Sequence, residues 1–245
     1  MTSVKRIRVD EAPTASRLGR GRFVFSDDYS VFDWGRMPDS IPDKGAALCV
    51  TGAHSFALLE DAGIPTHYRG VVHDGEVRPL EAALSAGAAP GEMAIELADV
   101  PDLPTTEAGY DYDAYHAAAG EGYLIPLEVV FRNHVPVGSS LRRRTDPEEH
   151  GLPFEEWPEE TVALPEPVVE FSTKFEHQDR YLDRDEADAI AGAAPIDELA
   201  SVARTVNRVV TERAAAAGLT HLDGKIECLS DGGEIRVADV AGTFD

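Results

Sequence analysis

Asp223, Lys225 and Glu227 occupy every second position in the stretch 221–245, HLDGKIECLSDGGEIRVADVAGTFD. A strand sends alternate side chains to opposite faces, so these three share one face. Leu222, Ile226 and Cys228 take the other face, with Gly224 leaving room between them. An acid, a base and an acid beside an apolar face can hold something charged. The lysine suits phosphate oxygens and the carboxylates suit Mg2+. A solvated edge strand in an acidic protein is the plainer alternative. Asp239 comes near the end of a second alternating run, after Ile235 and Val237. Ser230-Asp231-Gly232-Gly233 between the runs is a turn signal, so a β-hairpin is expected.

A second concentration of chemistry follows the apolar strand 123–132, YLIPLEVVFR. Arg132 ends that strand, and Gly138, Ser139 and Ser140 precede a basic triplet, Arg142, Arg143 and Arg144. Backbone N–H groups, hydroxyls and guanidinium forks together suit a phosphate or a carboxylate. Counter-charges to nearby acids are the ordinary alternative. Near the start, strands at 3–9 and 22–26 enclose Leu18-Gly19-Arg20-Gly21. Such a pair either lies over a nucleotide, with Lys5 reaching a phosphate, or forms a sheet edge. Asp27, Asp28, Ser30 and Asp33 then crowd a loop with Phe32 and Trp34, ahead of the run IPDKG that carries Lys44. This is a metal-binding loop or simply an acidic surface. The chain holds four lysines, Lys5, Lys44, Lys174 and Lys225, against eighteen arginines. Each lysine is a compact point charge that arginine does not mimic, and all four fall in these stretches or beside a strand.

The elements that position these groups are legible from periodicity. Leu48, Thr51, Gly52, Ser55, Leu58 and Leu59 have helical spacing within 46–62, and Gly63 supplies the stop. Asp183 can cap a helix over 184–191. Leu199, Val202, Ala203, Val206, Val209 and Val210 form the apolar stripe of a longer helix at 196–217, closed by Gly218. Short strands are expected at 93–97 and 168–171. The stretch 74–122 reads as the end of a first lobe with a surface insertion, and 145–167 as a Pro/Glu-rich surface link.

Composition bounds the rest. The 245 residues have room for a substantial core, and 45 acidic against 22 basic side chains give a formal net charge of -23. Such a field repels nucleic acid and anionic membranes. It suits the cytoplasm of a salt-accumulating organism, where the Debye length falls to about 3 Å; an acidic mesophilic protein is the alternative. Cys49 and Cys228 lie in apolar surroundings and read as buried free thiols. There is no secretory leader and no apolar run of about 18 residues, so a soluble cytoplasmic protein is expected.

In this order the pieces resemble the SAICAR synthetase family of purine biosynthesis. SVK at 3–5, SDDYSVFD through IPDKG at 26–45, IPLEVVFRNHVPVGSSLRRR at 125–144, and LDGKIE with VAD at 222–239 carry the resemblance. Thr66-His67 after Gly63-Ile64 also fits. The resemblance implies a two-lobed α+β fold akin to ATP-grasp enzymes, with antiparallel sheets and packing helices. The lobes are expected at 1–122 and 123–245. It implies a ligase that joins L-aspartate to the carboxylate of CAIR, its carboxylated aminoimidazole ribonucleotide substrate, using ATP and Mg2+. Lys5 and Lys225 would touch ATP phosphates, and Glu227 and Asp239 would serve Mg2+ and nucleotide. Asp223, Lys225 and Glu227 would be the catalytic group. Arg132, Gly138, Ser139 and Ser140 would hold the CAIR phosphate, with Asp33 and Lys44 also on the substrate side; Lys174 matches a motif position with no role specified. No nucleic acid or membrane partner is implied, and a homo-oligomer is left open.

Three departures stand out. The spacing from Arg132 to Gly138 is one residue longer than the commonest pattern, Thr2-Ser3 replace the usual glycine before Lys5, and the family's closing Arg motif would lie beyond Asp245. A non-catalytic nucleotide-binding relative, or a ligase or kinase with another acceptor, are the rival readings. The charge itself predicts a melting temperature that climbs steeply between about 0.1 and 2 M KCl as self-repulsion is screened. Thermal scans across that range check this; a flat profile contradicts the high-salt setting.

Overall fold

The computed structural model describes residues 5–31, 34–107 and 109–242. Two compact units form: Met1–Leu124 together with Leu229–Asp245, and Ile125–Cys228. The expected lobes divide near the same point, but 229–245 groups with the first unit. The chain passes from one unit to the other inside a long strand and returns inside another.

In the first unit the chain forms β1 (Lys5–Glu11), β2 (Gly19–Phe25), β3 (Asp28–Val31), β4 (Gly35–Ser40), α1 (Lys44–Asp61), β5 (Tyr68–His73) and β6 (Glu76–Arg78). It continues with α2 (Leu80–Ser85), β7 (Glu92–Leu97), β8 (Thr105–Thr106), β9 (Gly109–Tyr110) and α3 (Tyr112–Ala118). The main sheet has the order β1-β2-β7-β5-β6 and is antiparallel throughout. α1 packs on β2, β5 and β7, burying Phe56, Phe23, Met93 and Val71. Asp74-Gly75 turns β5 into β6, with positive φ at both residues (52° and 79°), as a two-residue hairpin turn requires. The stretch 74–122 is therefore not a surface insertion. It supplies a central strand and two helices, and Tyr115 is fully buried with its hydroxyl donating to the Leu124 carbonyl at 2.6 Å.

β10 (Gly122–Val135), β11 (Val162–Thr173), β12 (Tyr181–Leu182), α4 (Arg184–Ala191), α5 (Ile196–Ala216), β13 (Asp223–Asp231) and β14 (Glu234–Ala238) follow. The second sheet has the order β12-β11-β10-β13-β14. Asp183 caps α4 as expected, accepting from the Glu186 N–H at 2.9 Å. All six apolar positions read on α5 are buried, and α5 packs on β11; each of the leucine and valine side chains contributes about 1.5–3 kcal/mol of transfer free energy, and Ala203 less. The expected link at 145–167 is more ordered than its composition suggests: β11 already begins at Val162. The Arg142 guanidinium ties this loop down by donating to the carbonyls of Val135, Pro136, Pro158 and Glu160 at 2.5–2.8 Å.

On β13 the expected alternation holds. Ile226 and Cys228 are 1% exposed, while Asp223 and Lys225 are exposed. A Cβ on Gly224 would lie 2.6 Å from Phe131 Cε2 and 3.0 Å from Cζ. The Phe131 ring, itself 3% exposed, fills the space a side chain would need. Gly224→Ala is expected to cost about 1–3 kcal/mol of stability through overpacking, read as a lower urea midpoint at unchanged slope. An unchanged midpoint would mean that the ring moves aside freely.

Candidate active site

Cross-strand register builds a charged face on the second unit's sheet. Glu128 faces Ser172 across β10 and β11, Val130 faces Glu170, and Arg132 faces Val168. Tyr181 faces Ser172 from β12. Directly opposed residues share a face, so Glu128, Arg132, Glu170, Ser172 and Tyr181 project together, and β13 lies beside β10.

The geometry around Arg132 is dense. Its residue exposure is only 4%. Nε donates to Glu170 Oε2 at 2.7 Å and Nη2 to the Tyr181 hydroxyl at 2.9 Å. Longer contacts run from Nη1 to Ser139 Oγ (3.4 Å) and Asp223 Oδ2 (3.3 Å), and from Nη2 to Ser140 Oγ (3.3 Å). Desolvation works to lower the Arg132 pKa, but the Glu170 bond and the charges of Glu170, Tyr181 and Asp223 together raise it. Ser139 Oγ also accepts from the Leu141 N–H, starting the 3₁₀ turn Ser140–Arg143. A Cβ at Gly138 would meet nothing within 4 Å, so glycine leaves the approach open there and relieves no clash.

Further along the same face two lysines alternate with two glutamates. Lys225 Nζ donates to Glu128 Oε1 at 2.5 Å, Lys174 pairs with Glu227, and Lys174 lies 3.9 Å from Glu128. Burial works to lower the Lys225 pKa. The Glu128 bond and the charges of Glu128, Glu227 and Asp179 outweigh it, and Lys225 remains a cation through neutral pH. The structure thus places Asp223 with Arg132, and Lys225 and Glu227 with Glu128 and Lys174. Sequence reasoning assigned no role to Glu128, Glu170 or Tyr181. The PLE motif contained Glu128, but nothing local marked the other two.

The first unit has its own charged pair. Lys5 Nζ meets Asp239 Oδ1 at 2.5 Å and lies 4.9 Å over the Phe23 ring. Asp239 has φ 60°, a left-handed conformation that a non-glycine residue adopts at some cost. His67, 3% exposed, holds it there: Nε2 lies 3.0 Å from the Asp239 carbonyl. A carbonyl only accepts, so Nε2 carries the proton. Burial lowers the His67 pKa to about 4, and the ring is neutral at working pH. Lys44 Nζ is buried without a hydrogen-bond partner among the described residues. Asp33 lies outside the described residues. Its neighbours in the acidic loop have structural work: Asp27 accepts the backbone N–H of Asp43 (3.3 Å) and Gly45 (2.9 Å) at the start of α1, and Asp28 pairs with Arg36 at 2.9 Å.

Covalent catalysis by thiol has no support here. Cys49 and Cys228 are buried, and burial pushes both up to about 12. Among the described residues no group of three or more His, Cys, Asp or Glu could cage a metal, and no helix is long and apolar enough to cross a membrane.

The fold, two antiparallel sheets with packing helices, is that of SAICAR synthetases. A SAICAR synthetase (Type-2) in complex with ADP superposes with a TM-score of 0.62 at 23% identity, over 98% of this chain and 78% of that one. A SAICAR-synthase from Saccharomyces cerevisiae complexed with SAICAR gives 0.64 at 20% identity, over 98% and 71%. The SAICAR synthetase family profile matches residues 15–245. A putative phosphoribosylaminoimidazole-succinocarboxamide synthase of Archaeoglobus fulgidus is 41% identical over 100% of this chain and 73% of its own length. The chain belongs to the SAICAR synthetase family, ligases that form a C–N bond with the use of ATP.

The buried imidazole sets a pH dependence. An unfolded His67 binds a proton below its ordinary 6.5, while the folded one resists until about 4. Its contribution is thus intact above pH 6.5 and is lost as pH falls toward 4, by about 3 kcal/mol at most. The stability difference between wild type and His67→Gln should therefore shrink between about pH 7 and pH 4.5 in urea titrations. A difference independent of pH would show that His67 is not held neutral.

Proposed function

We propose that the chain joins L-aspartate to the carboxylate of CAIR, with ATP converted to ADP and phosphate. The observation that carries this is the alternation of Arg132, Glu128, Lys225, Glu227 and Lys174 on one sheet face. A carboxylate is a poor electrophile until it is phosphorylated, and an amine then displaces the phosphate. Such a reaction asks the protein for positioned cations around a transferring phosphoryl group and for little covalent chemistry. Lys225 and Lys174 supply those cations in the second unit. Glu128 and Glu227 hold them in place between turnovers.

The remaining roles follow the same logic. Arg132 with Ser139 and Ser140 offers a forked donor set for the CAIR phosphate, and Gly138 leaves it accessible. Asp223, exposed and 3.3 Å from Arg132, lies on the substrate side of that set. In the first unit Lys5 is assigned to nucleotide phosphate. The Lys44 side chain, whose Nζ is buried without a hydrogen-bond partner among the described residues, suits a substrate carboxylate, because a buried charge is costly unless it is paired. Mg2+ usually keeps one or two carboxylates, phosphate oxygens and water as ligands. Asp239 fits as one such carboxylate and Glu227 as another, each considered in its own unit. When bound, the ion would neutralise phosphate oxygens. The ADP bound to a structure of the same fold supports the nucleotide assignment. The setting we infer is the cytoplasm of a salt-accumulating cell, supported by the net charge of -23.

ADP release that requires both CAIR and aspartate is the expected result. Lys225→Met should lower turnover by about 10²-fold or more, as loss of one electrostatic donor does, and Lys5→Met should mainly weaken ATP. Normal ATP-dependent rates in both variants would overturn the assignment of these lysines.

A further inference from the structure

The basic triplet after Ser140 contains three arginines with different occupations. Arg142 is committed to four backbone carbonyls and lies over Trp157, so it offers no edge to a ligand. Arg143 is exposed and makes no side-chain bond among the described residues. Arg144 differs from both. Its Nη1 donates to Glu170 Oε1 at 2.6 Å, and its guanidinium carbon lies 3.5 Å from the Tyr181 ring centroid. An arginine has five N–H donors; among the described residues no other side-chain acceptor takes one from Arg144, whose side chain is 28% exposed.

Glu170 and Tyr181 couple Arg144 to Arg132. The carboxylate gives Oε1 to Arg144 and Oε2 to Arg132, so one anion yokes two guanidiniums. Tyr181 accepts from Arg132 Nη2 and from Ser140 Oγ (3.2 Å) while its ring lies against Arg144. A stacked guanidinium keeps its N–H edge aimed without holding it by acceptors, a geometry lysine cannot reproduce. The resulting set comprises two arginines, two serine hydroxyls and the Tyr181 hydroxyl. The carboxylates among them are Glu170, 13% exposed, and Asp223, 42% exposed and 3.3 Å from Arg132 Nη1. Clustered forks of this kind match a group with three terminal oxygens and a charge near -2.

We propose that Arg144, held over Tyr181, is a second arginine of the phosphate site and grips the substrate phosphate jointly with Arg132. The incoming phosphate displaces the exposed Asp223 carboxylate from Arg132 Nη1. The inference rests on the CAIR reading above and adds the residue that discriminates a phosphorylated from an unphosphorylated ribose.

The test compares Arg144→Gln, Tyr181→Phe and Tyr181→Ala with Arg143→Gln as control. Arg144→Gln is expected to raise KM for CAIR about 10- to 100-fold, the range of one charged hydrogen-bonded contact, while KM for ATP stays within about twofold. Tyr181→Ala should reproduce this effect. Tyr181→Phe, which keeps the ring under Arg144 and loses only the hydroxyl that accepts from Arg132, should raise KM for CAIR less than Tyr181→Ala does. Calorimetry with ribose 5-phosphate, with ribose as the blank, reads the same site without turnover, and Arg144→Gln should weaken that binding to a similar degree. If Arg144→Gln leaves KM for CAIR and ribose 5-phosphate affinity unchanged, or raises the KM values for CAIR and ATP equally with a drop in melting temperature, Arg144 is a structural counter-charge and the proposal is wrong. If wild type shows no CAIR-dependent ADP release, the functional reading fails instead, and ribose 5-phosphate binding still decides whether Arg144 holds phosphate.

Discussion

An arginine that is only 4% exposed has to have its guanidinium surrounded by acceptors, and the second unit's sheet is arranged around that requirement. Removing a charge from water costs several kcal/mol unless opposite charge and well-placed hydrogen bonds offset it. For Arg132 the offset comes from Glu170 on the neighbouring strand, from Tyr181 one strand further out, and from two serines after β10. These acceptors are also what make the place chemically useful. A guanidinium pre-oriented by short bonds at Nε and Nη2, with long bonds elsewhere, can exchange the long partners for a ligand's oxygens with little reorganisation.

The same constraint continues along the sheet. Lys225, Glu128, Lys174 and Glu227 alternate in sign, so each buried or half-buried charge sits against an opposite one. Like charges side by side in this setting would be destabilising, and the alternation lets two lysines stand close together as cations. On the function proposed above, a phosphoryl group entering such an array would meet donors that are already charged and held. Neither thiol is activated: Cys49 and Cys228 lie buried, and burial keeps both protonated.

In the first unit a strained residue is stabilised by a neutral one. Asp239 is held at φ 60° by the His67 imidazole on its carbonyl, and its carboxylate meets Lys5. Left-handed backbone costs about 1 kcal/mol or more at a non-glycine residue. The imidazole bond, made in a dry setting among Phe23 and Phe56, offsets it. Charge on the ring would be costly there, and burial keeps it neutral.

Much of this was legible in the chain because the governing rules are local. The two-residue period separates Asp223, Lys225 and Glu227 from Ile226 and Cys228. Helical spacing identifies the buried stripe of α5, and positive φ at Gly232 and Gly233 is what the turn signal demands. Residue chemistry alone marked Arg132, Ser139 and Lys5 as candidates for anion binding, and the motif resemblance gave them their ligands. Tertiary structure alone decided the partners. Glu170 and Asp223 lie 38 and 91 residues from Arg132, and Glu128 lies 97 from Lys225, so nothing in their neighbourhoods marks them as a set. Cross-strand register, including the irregularity between Arg132 and His134, decides which side chains meet. It also separates Arg142, bound to carbonyls, from Arg144, stacked on Tyr181, although the two are near neighbours in one basic run. Sequence determines periodicity, because that depends on residues two to four apart; which distant charge neutralises which depends on how strands pair, and only the folded sheet settles that.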